Sequence, residues 1–292
     1  MTDLFGLGWR PAIADRIFAG ADQLDVVEVI AEDWMARPAR EVRALRTLAA
    51  HVPVVLHGVS LGLASSAPVD PKRLEAFARV AALAQPLFWS EHLAFVRGGG
   101  VEIGHLAAPP RCAATIEGTA RNVARARAVI GSAPLLENVA TLIDPPGSDR
   151  GEAQFVAEVL EAADCDLLLD LHNLHTNAVN FCFGEEEKKE REEEDFLRGI
   201  PSDRVRAVHL AGGRRVGVPG RAGVTRLLDD HLHPVPDAVF SLLERVGALV
   251  PHPLTVILER DGLYPPFEEL LSELSRARAS LAAGRARRQA AA

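Results

Sequence analysis

The sequence DLLLDLHN at residues 166–173 joins a run of leucines directly to a group of polar side chains. Apolar residues do not alternate with polar ones in this run, a pattern typical of a parallel β-strand that is covered on both faces. Seven similar runs occur elsewhere in the chain, and most of them also end in polar residues. They lie at 5–9, 24–30, 52–59, 87–95, 134–139, 205–211 and 254–261.

Segments with a helical spacing of apolar residues separate these predicted strands. They lie at 40–50, 71–84, 115–130, 152–163, 235–247 and 267–282. Asp70 followed by Pro71 is a typical helix start, because aspartate caps free N–H groups and proline fits the first turn. Eight strands alternating with helices predict an α/β fold, a closed (β/α)8 TIM barrel, as a single domain at 1–283. An open doubly wound sheet is the alternative.

Two charged segments stand outside this alternation of strands and helices. GEEEKKEREEED, at 184–195, is expected to be a solvated loop or an exposed helix. The end of the chain, at 284–292, is rich in arginine and alanine and is expected to be a flexible basic tail.

Composition narrows the class of protein. The chain has 32 basic and 40 acidic side chains, and its net charge of −8 argues against a general nucleic-acid binder. Its three cysteines are too few and too scattered for a disulfide framework and fit a reducing cytosol. We find neither a signal-peptide pattern nor an apolar run near the ~20 residues that cross a bilayer. We therefore expect a cytoplasmic protein that binds neither nucleic acid nor membrane.

Polar side chains collect at the ends of the predicted strands. The carboxyl ends of barrel strands meet at one mouth, so these residues become neighbours although they are distant in sequence. Carboxylates so close together repel one another unless protons or cations neutralise them. The strand-end residues are Glu28, His57, Glu91, His92, Glu137, Asn138, Asp170, His172, Asn173, His209, Glu259 and Asp261, with Asp229, Asp230, His231 and His233 after the seventh strand.

The chemistry of this group indicates a metal site. Imidazole and carboxylate groups without thiolates suit Fe, Mn, Zn or Ni, and about nine ligands imply two or three ions. Each residue alone has a structural explanation: a strand-end histidine is usually hydrogen-bonded within the fold, and Glu28 and Glu32 can be explained as caps or ion-pair partners. The prediction rests on the joint occurrence of these residue types on five different strands.

The sequence gives little support for other kinds of catalytic or nucleotide-binding site. No GxGxxG opens a helix after a strand, GxxxxGK[ST] does not occur, and we expect no GxSxG nucleophile elbow. Cys165 and Cys182 have no evident base partner in the sequence, which disfavours catalysis by a cysteine nucleophile.

Seven blocks of this sequence resemble the signature blocks of one family and occur in the same order. The family is the MbnB/TglH/ChrH group, and the resemblance extends from GLGWRP at Gly6 to about Arg278. The blocks are HGVSLGLAS (57–65), SEHLAF (90–95), LLENVAT (135–141), LLLDLHNLHTNAVN (167–180), HLAG (209–212), LDDHLHPVPD (228–237) and ERD (259–261).

The resemblance implies a TIM barrel that holds two or three non-haem irons at its mouth, in mixed Fe2+ and Fe3+ states. Characterised members of the family modify cysteines of ribosomally synthesised precursor peptides in natural-product (RiPP) biosynthesis. They use O2 as a co-substrate and usually work with a small partner protein that presents the peptide. The resemblance therefore implies an iron-dependent oxidoreductase whose partners are a cysteine-containing peptide and a small protein.

The resemblance also assigns roles to single residues. Glu137, Asp170 and His209 are the expected catalytic residues, and Glu137 is a candidate bridge between ions because carboxylates bridge metals readily. His175 and Asp261 are expected to orient ligands. The implied metal ligands are His57, His92, Glu137, Asp170, Asn173, His209, Asp229, His231 and Glu259.

The sequence departs from the family pattern in three places. HLAGG at 209–213 has Gly213 where many relatives have histidine, HLAAPP at 105–110 differs from the usual segment, and 185–195 resembles an insertion. These departures concern segments that would touch a substrate or partner, so the metal ligands are better supported than the substrate.

Two other functions stay open at this point. A Zn- or Mn-dependent TIM-barrel hydrolase or isomerase, similar to an abasic endonuclease or a sugar isomerase, would use the same ligands. A nuclease also needs basic side chains near the mouth, for which Arg214, Arg215, Arg221 and Arg226 are candidates. The non-enzymatic alternative is a peptide-binding scaffold with a vestigial metal site, which the retained ligand types disfavour.

Overall fold

The computed structural model describes residues 2–182, 185–218, 220–221 and 223–291. Eight parallel strands close into a barrel, and two antiparallel hairpins lie outside it. The strands of the described residues are β1 (Leu4–Gly8), β2 (Val26–Ile30), β3 (Val54–Gly58), β4 (Trp89–His92), β5 (Phe95–Gly98), β6 (Val101–Ala107), β7 (Leu135–Glu137), β8 (Asp166–Asp170), β9 (Val205–Leu210), β10 (Arg214–Gly217), β11 (Thr225–Leu228) and β12 (Thr255–Leu258).

Helices surround the barrel. Asp70 caps the predicted helix at 71–84 as expected, since its Oδ1 accepts a hydrogen bond from the backbone N–H of Lys72 at 2.9 Å. Within the described ranges, no helix is both long enough and apolar enough to cross a membrane. The α-helices are α1 (Ala14–Ala19), α2 (Glu32–Met35), α3 (Ala39–Val42), α4 (Ala44–Ala49), α5 (Pro71–Ala84), α6 (Ala113–Ile130), α7 (Glu152–Ala163), α8 (Leu171–Cys182), α9 (Glu186–Gly199), α10 (Asp237–Leu249) and α11 (Phe267–Ala291).

The ring of strands is closed by β1, which pairs in parallel with β2 on one side and with β12 on the other. The order around the ring is β1-β12-β9-β8-β7-β4-β3-β2. The predicted (β/α)8 TIM barrel is therefore confirmed, and the open doubly wound sheet is wrong. All eight barrel strands overlap the eight predicted ones.

The barrel interior is built in two layers, because side chains on a strand point to alternate faces with a period of two. The lower layer is apolar and consists of Val26, Val55, Leu135, Leu168, Ala207 and Ile257. The residues two positions further along the same strands are ionisable and buried: Glu28, His57, Glu137, Asp170, His209 and Glu259. The strand period thus brings six ionisable side chains into one layer at the mouth.

Two predicted strands end earlier than expected. The run 166–173 leaves the sheet at Asp170 and continues at once as α8, because Oδ1 of Asp170 accepts the N–H of Asn173 at 2.6 Å and so caps the first turn. The run 87–95 ends at His92, and Phe95 opens the hairpin of β5 and β6. A second hairpin, β10 with β11, follows β9.

The acidic run at 184–195 is a helix over most of its length. Gly184 lies outside the described residues, and α9 begins at Glu186 and runs to Gly199. Most of its charges face solvent, but Glu193 is buried and its Oε1 lies 2.8 Å from Nδ1 of His175 on α8. One carboxylate of the run therefore serves to attach α9 to the body of the barrel.

Residues 284–291, expected to belong to a flexible basic tail, continue the helix α11. Arg285 holds this last part of the helix, because its guanidinium donates to both carboxylate oxygens of Asp3 at 2.7 and 3.1 Å and to the carbonyl oxygen of His252 at 2.7 Å. Residue 292 lies outside the described residues. The arginines that suggested a loose basic tail include the one that anchors it.

We predict that Arg285→Ala lowers the free energy of unfolding by about 1–3 kcal/mol, because several charge-assisted hydrogen bonds are lost together. The control is Arg287→Ala, which removes only a surface ion pair with Glu244 and should cost less than about 0.5 kcal/mol. Urea denaturation of both variants measures the difference. Equal, small losses would show that the end of α11 contributes little to the fold.

Candidate metal centre

His57 and His92 present corresponding nitrogens to one carboxylate. Nδ1 of His57 lies 2.8 Å from Oγ of Ser90, and Nδ1 of His92 lies 3.2 Å from the carbonyl oxygen of Gly58. The other nitrogen of each ring, Nε2, lies 3.4 Å (His57) or 3.5 Å (His92) from Oε2 of Glu137. A partner on Nδ1 that leaves Nε2 facing a shared carboxylate is the arrangement usually seen in histidines that bind metal.

His209 lies in the middle of the layer, with a carboxylate on each side. Its Nε2 lies 2.8 Å from Oε2 of Glu28. Its Nδ1 lies 3.0 Å from Oε2 of Glu259 and 3.3 Å from Oε1 of Glu137. Three carboxylates from three strands therefore share one imidazole, and the side chains of His209 and Glu28 are completely buried.

A second group of residues extends the layer toward the hairpin of β10 and β11. Nδ1 of His231 lies 3.6 Å from Oε2 of Glu259, and its Nε2 lies 2.9 Å from Oδ1 of Asp229. His231 has a φ of 53°, a left-handed conformation that is uncommon for a residue with a side chain and is frequent at functional sites. The backbone is thus held in an unfavourable conformation at a point that turns an imidazole toward the layer.

Two further contacts fix this group. Nδ1 of His172, on the first turn of α8, lies 2.6 Å from Oδ1 of Asp229. Asp261 lies 3.4 Å from Nδ1 of His231 and accepts a hydrogen bond from Nε of Arg10 at 2.7 Å. Each member of the second group therefore has a partner that orients it.

Burial and neighbouring charges divide the carboxyl groups of the layer. Burial, together with the nearby Asp229 and Glu137, raises the pKa of Asp170 well above its usual value. Burial also opposes ionisation of Glu259, but the imidazoles of His209 and His231 outweigh it and hold the pKa of that carboxyl well below its usual range. Burial lowers the pKa of His57 and favours the neutral ring. Without a cation the layer therefore holds more carboxyl groups than its histidines can neutralise.

Several buried polar atoms in the layer have no hydrogen-bond partner. A buried polar atom without a partner costs free energy, and such atoms are few in native proteins. Carboxylate oxygens and imidazole nitrogens free of thiolates suit iron, manganese or zinc, so the residues fit a multinuclear metal centre. The atoms are Oε1 of Glu28, Oε2 of Glu137, Oδ2 of Asp170, Nε2 of His172 and Oδ1 of Asn173.

Donor atoms of the layer form three groups that could each hold an ion. Within each group the atoms lie within 4.8 Å of one another. Glu137, His57 and His209 each belong to two groups, which suits ions that share ligands. The groups are Glu28 with His57 and His209, His57 with His92 and Glu137, and Glu137 with Asp170, His209 and Glu259.

The structure links all nine sequence-predicted ligands through these contacts. Asn173 joins through its N–H bond to Asp170, and Asp229 joins through His231. Glu28 is not among the predicted ligands but belongs to one of the three groups that could hold an ion, and the single charge within the apolar run VVEVI was a signal for it. His172 had no predicted role. His175, expected to orient a ligand, is paired with Glu193 of α9.

One GxSxG motif is present in the chain, although no nucleophile elbow was expected. GVSLG at 58–62 fits the GxSxG pattern of a nucleophile elbow, in which a serine sits between a strand and a helix. Here the next helix, α5, begins only at Pro71. The N–H of Ser60 donates to Oε1 of Glu32 at 2.8 Å, and its carbonyl oxygen accepts from Arg97 at 3.2 Å. Ser60 therefore belongs to a braced loop rather than to an elbow.

A cavity of ≈560 Å³ opens directly above the centre. His92, Asn173, Asp229 and His231 form its floor, and the hairpins and the loop after β7 form its walls. Asn177 of α8 holds this loop, since it accepts the N–H of Thr141 at 2.8 Å and donates to the carbonyl oxygen of Val139 at 3.0 Å. The shape of the cavity thus depends on α8 as well as on the barrel.

Glu152 holds the side chain of Asn177, and its carboxyl group should make the stability of the fold depend on pH. Its carboxylate accepts hydrogen bonds from Nδ2 of Asn177 at 3.2 and 3.3 Å. Burial raises the pKa of Glu152 to about 7, against the opposing effects of Arg111 and Asn177. A carboxyl with a raised pKa in the folded state is most favourable at low pH, and its contribution to stability falls as the pH rises from about 4.5 to 7.

We predict that the free energy of unfolding of Glu152→Gln, relative to that of the unmodified protein, rises by about 2–3 kcal/mol when the pH is raised from 4.5 to 8. The amide keeps an acceptor for Asn177 and does not ionise. Urea denaturation of the metal-free proteins at both pH values measures the change, with Glu161→Gln on the exposed face of α7 as the control. An equal response of the two variants would refute the assignment.

Comparison with known proteins places the chain in a family. A family model described as "RiPP precursor modification enzyme MbnB/TglH/ChrH" matches residues 4–282. A UPF0276 protein of Streptomyces avermitilis is 39% identical over 284 residues, and the chain spans about half (54%) of that relative's length and is itself covered to 94%. A UPF0276 protein of Caulobacter vibrioides is 33% identical over 285 residues, covering 97% of this chain and 96% of that one.

A solved structure shares the fold. The crystal structure of endonuclease IV from Thermus thermophilus matches with a TM-score of 0.56 and 19% identity, covering 95% of this chain and 98% of that one. At this identity the likeness shows the barrel architecture alone. The family match covers nearly the whole chain, and a relative of almost equal length is more than 30% identical. The chain therefore belongs to the MbnB/TglH/ChrH family of RiPP precursor modification enzymes.

Proposed function

We propose that this protein is a multinuclear non-haem iron enzyme that uses O2 to modify cysteine residues of a ribosomally synthesised precursor peptide. The observation that carries the proposal is the buried layer of imidazole and carboxylate groups, whose donor atoms gather in groups within 4.8 Å of one another. Membership of the family supports a peptide substrate. A small partner protein that presents the peptide is part of the proposal, as the family resemblance implies.

In this proposal two or three irons, in mixed Fe2+ and Fe3+ states, are held by the nine predicted ligands, and Glu28 joins them. Glu137 would be the carboxylate shared between ions, because it faces both His57 and His92 with one oxygen and His209 with the other. Asp170 and His209, with Glu137, form the catalytic set at the centre of the layer. The ligands are His57, His92, Glu137, Asp170, Asn173, His209, Asp229, His231 and Glu259.

The protein side chains prepare the site in three ways. Ser90 and the carbonyl group of Gly58 fix the rings of His57 and His92, so that both Nε2 atoms face inward. Arg10 and Asp261 hold His231 at the edge of the centre. When bound, iron would supply the redox chemistry with O2 and a binding position for a cysteine thiolate, neither of which these side chains provide.

The alternative of a nuclease finds less support in the charges near the mouth. Among the residues that the structure describes, no lysine or arginine lines the cavity. Of the arginines considered for this role, Arg214 is paired with Asp230 at 3.2 Å, and Arg226 donates to the carbonyl oxygen of Asn180 on α8. Cys165 is also disfavoured as a catalytic nucleophile, because burial raises the pKa of its thiol to about 12.

We predict that Glu137→Gln and His92→Ala each reduce the iron content to about one ion per chain or fewer and abolish turnover together, because shared ligands couple the ions. The control is His51→Ala, which removes an exposed histidine that precedes β3 at the opposite end of the barrel. Elemental analysis and Mössbauer spectroscopy of protein purified without oxygen, with any partner co-expressed, measure the iron.

The same measurement separates the two enzymatic hypotheses. Two or three irons in the unmodified chain support the proposal. Zinc with no iron after iron-supplemented growth would favour a hydrolase or isomerase, and full turnover in the Glu137 variant would refute the assigned centre.

We predict that His172→Leu loses about one iron per chain while His172→Asn keeps it. Leucine removes the donor that holds Asp229, whereas the amide of asparagine places an N–H close to the position of Nδ1. The iron content of the two variants, measured beside their circular dichroism, tests the role. Equal iron content in both would show that Asp229 does not depend on His172.

A further inference from the structure

The cavity above the centre has two chemically different sides. Its floor carries the polar groups of His92, Asn173, Asp229 and His231. Its walls are mostly apolar and come from three separate segments: β5 with β6, the loop after β7, and the end of β11. The apolar lining residues are Phe95, Leu106, Ala107, Ala108, Val139, Ala140, Leu142, Ile143, Pro145, Pro146, Leu227 and Leu228.

Two adjacent side chains of this wall face water. Leu142 is 49% exposed and Ile143 is 64% exposed. Their loop is fastened on both sides: Thr141 is bonded to Asn177 of α8, and Asp144 is paired with Arg111. The loop is held in place, so these two large apolar side chains stay in water and the free energy of burying them is not gained. An apolar ligand that covers them would gain that free energy.

The charges around the cavity restrict which chemical groups of a ligand can bind in it. Its ionisable lining consists of Asp229 and Asp230 together with three histidines, and the described residues add no lysine or arginine to it. A carboxylate or phosphate turned toward the apolar wall, away from the histidines and the metal ligands of the floor, would lose its hydration and would find no lysine or arginine as a partner among the described lining residues. An uncharged apolar group meets no such penalty.

We propose that the wall formed by Leu142 and Ile143 selects peptides that carry an apolar side chain next to the reacting cysteine. This inference rests on the proposed function, since it takes the cysteine to lie over the ligands on the floor. A residue adjacent to that cysteine has to occupy the same cavity, because a peptide unit spans only ~3.3–3.8 Å. The specificity is thus assigned to the loop after β7.

The test uses two synthetic tripeptides, acetyl-Leu-Cys-Leu-amide and acetyl-Ser-Cys-Ser-amide. Placing the same residue on both sides of the cysteine makes the result independent of chain direction. Calorimetric titration of iron-loaded and metal-free protein gives the two affinities, and the absorption and Mössbauer spectra of the loaded protein report whether the thiolate reaches iron. We expect the leucine peptide to bind about tenfold more tightly or better, in both forms of the protein.

The double variant with Leu142→Ser and Ile143→Ser should reduce this preference to about twofold or less, because the apolar contact is removed. The matched control is Leu87→Ser, an equally exposed apolar residue that precedes β4 at the other end of the barrel. It should leave the preference unchanged.

The outcomes separate the two proposals. Equal affinities of the two peptides, with a thiolate signal in the spectra, would overturn this inference and leave the proposed function intact. Iron-loaded protein that shows no thiolate signal with either peptide would overturn the cysteine chemistry and, with it, the role given to the neighbouring residue. A leucine preference that survives in the double variant would move the specificity away from this loop.

Discussion

The structure depends on keeping six ionisable side chains together in one buried layer. Removing carboxylates and imidazoles from water is costly unless each finds a partner. Here the partners come from different strands, so the layer is compatible with burial only when the ring of strands is closed. His209 illustrates this, since Glu28 on β2 and Glu259 just after β12 both face it. The pairing is still incomplete, and the remaining free atoms are those that suit metal ions.

The site is completed by elements outside the barrel, which add side chains around the inner layer supplied by the strands. The barrel strands supply the inner layer, α8 supplies Asn173 and His172, and the segment after β11 supplies Asp229 and His231. The loops then shape the cavity above the floor. Chemistry and recognition are thus carried by different parts of the chain, which agrees with the usual division of labour in TIM barrels.

Much of this arrangement could be predicted from the sequence, because it follows from the two-residue period of strands. The eight barrel strands and the candidate ligands at their ends lie where that period places them. Glu28 was also within reach, since it lies two residues after Val26 just as Glu259 lies two after Ile257. The hairpins and the attachment of α9 to the barrel were not, because they depend on contacts between distant segments, such as that of Glu193 with His175. The same applies to the end of α11, which is held by Asp3 from the opposite end of the chain.

The direct junction of β8 with α8 has a consequence for how such a protein can diversify. Asp170 ends the strand and caps the helix at once, so no residue can be inserted between them without separating Asp170 from Asn173. The hairpins after β4 and β9 are under no such restriction, because they leave the ring and return to it. Changes in length are therefore tolerated at the rim and not at this junction. The same candidate metal centre can thus be combined with rims of different length and shape.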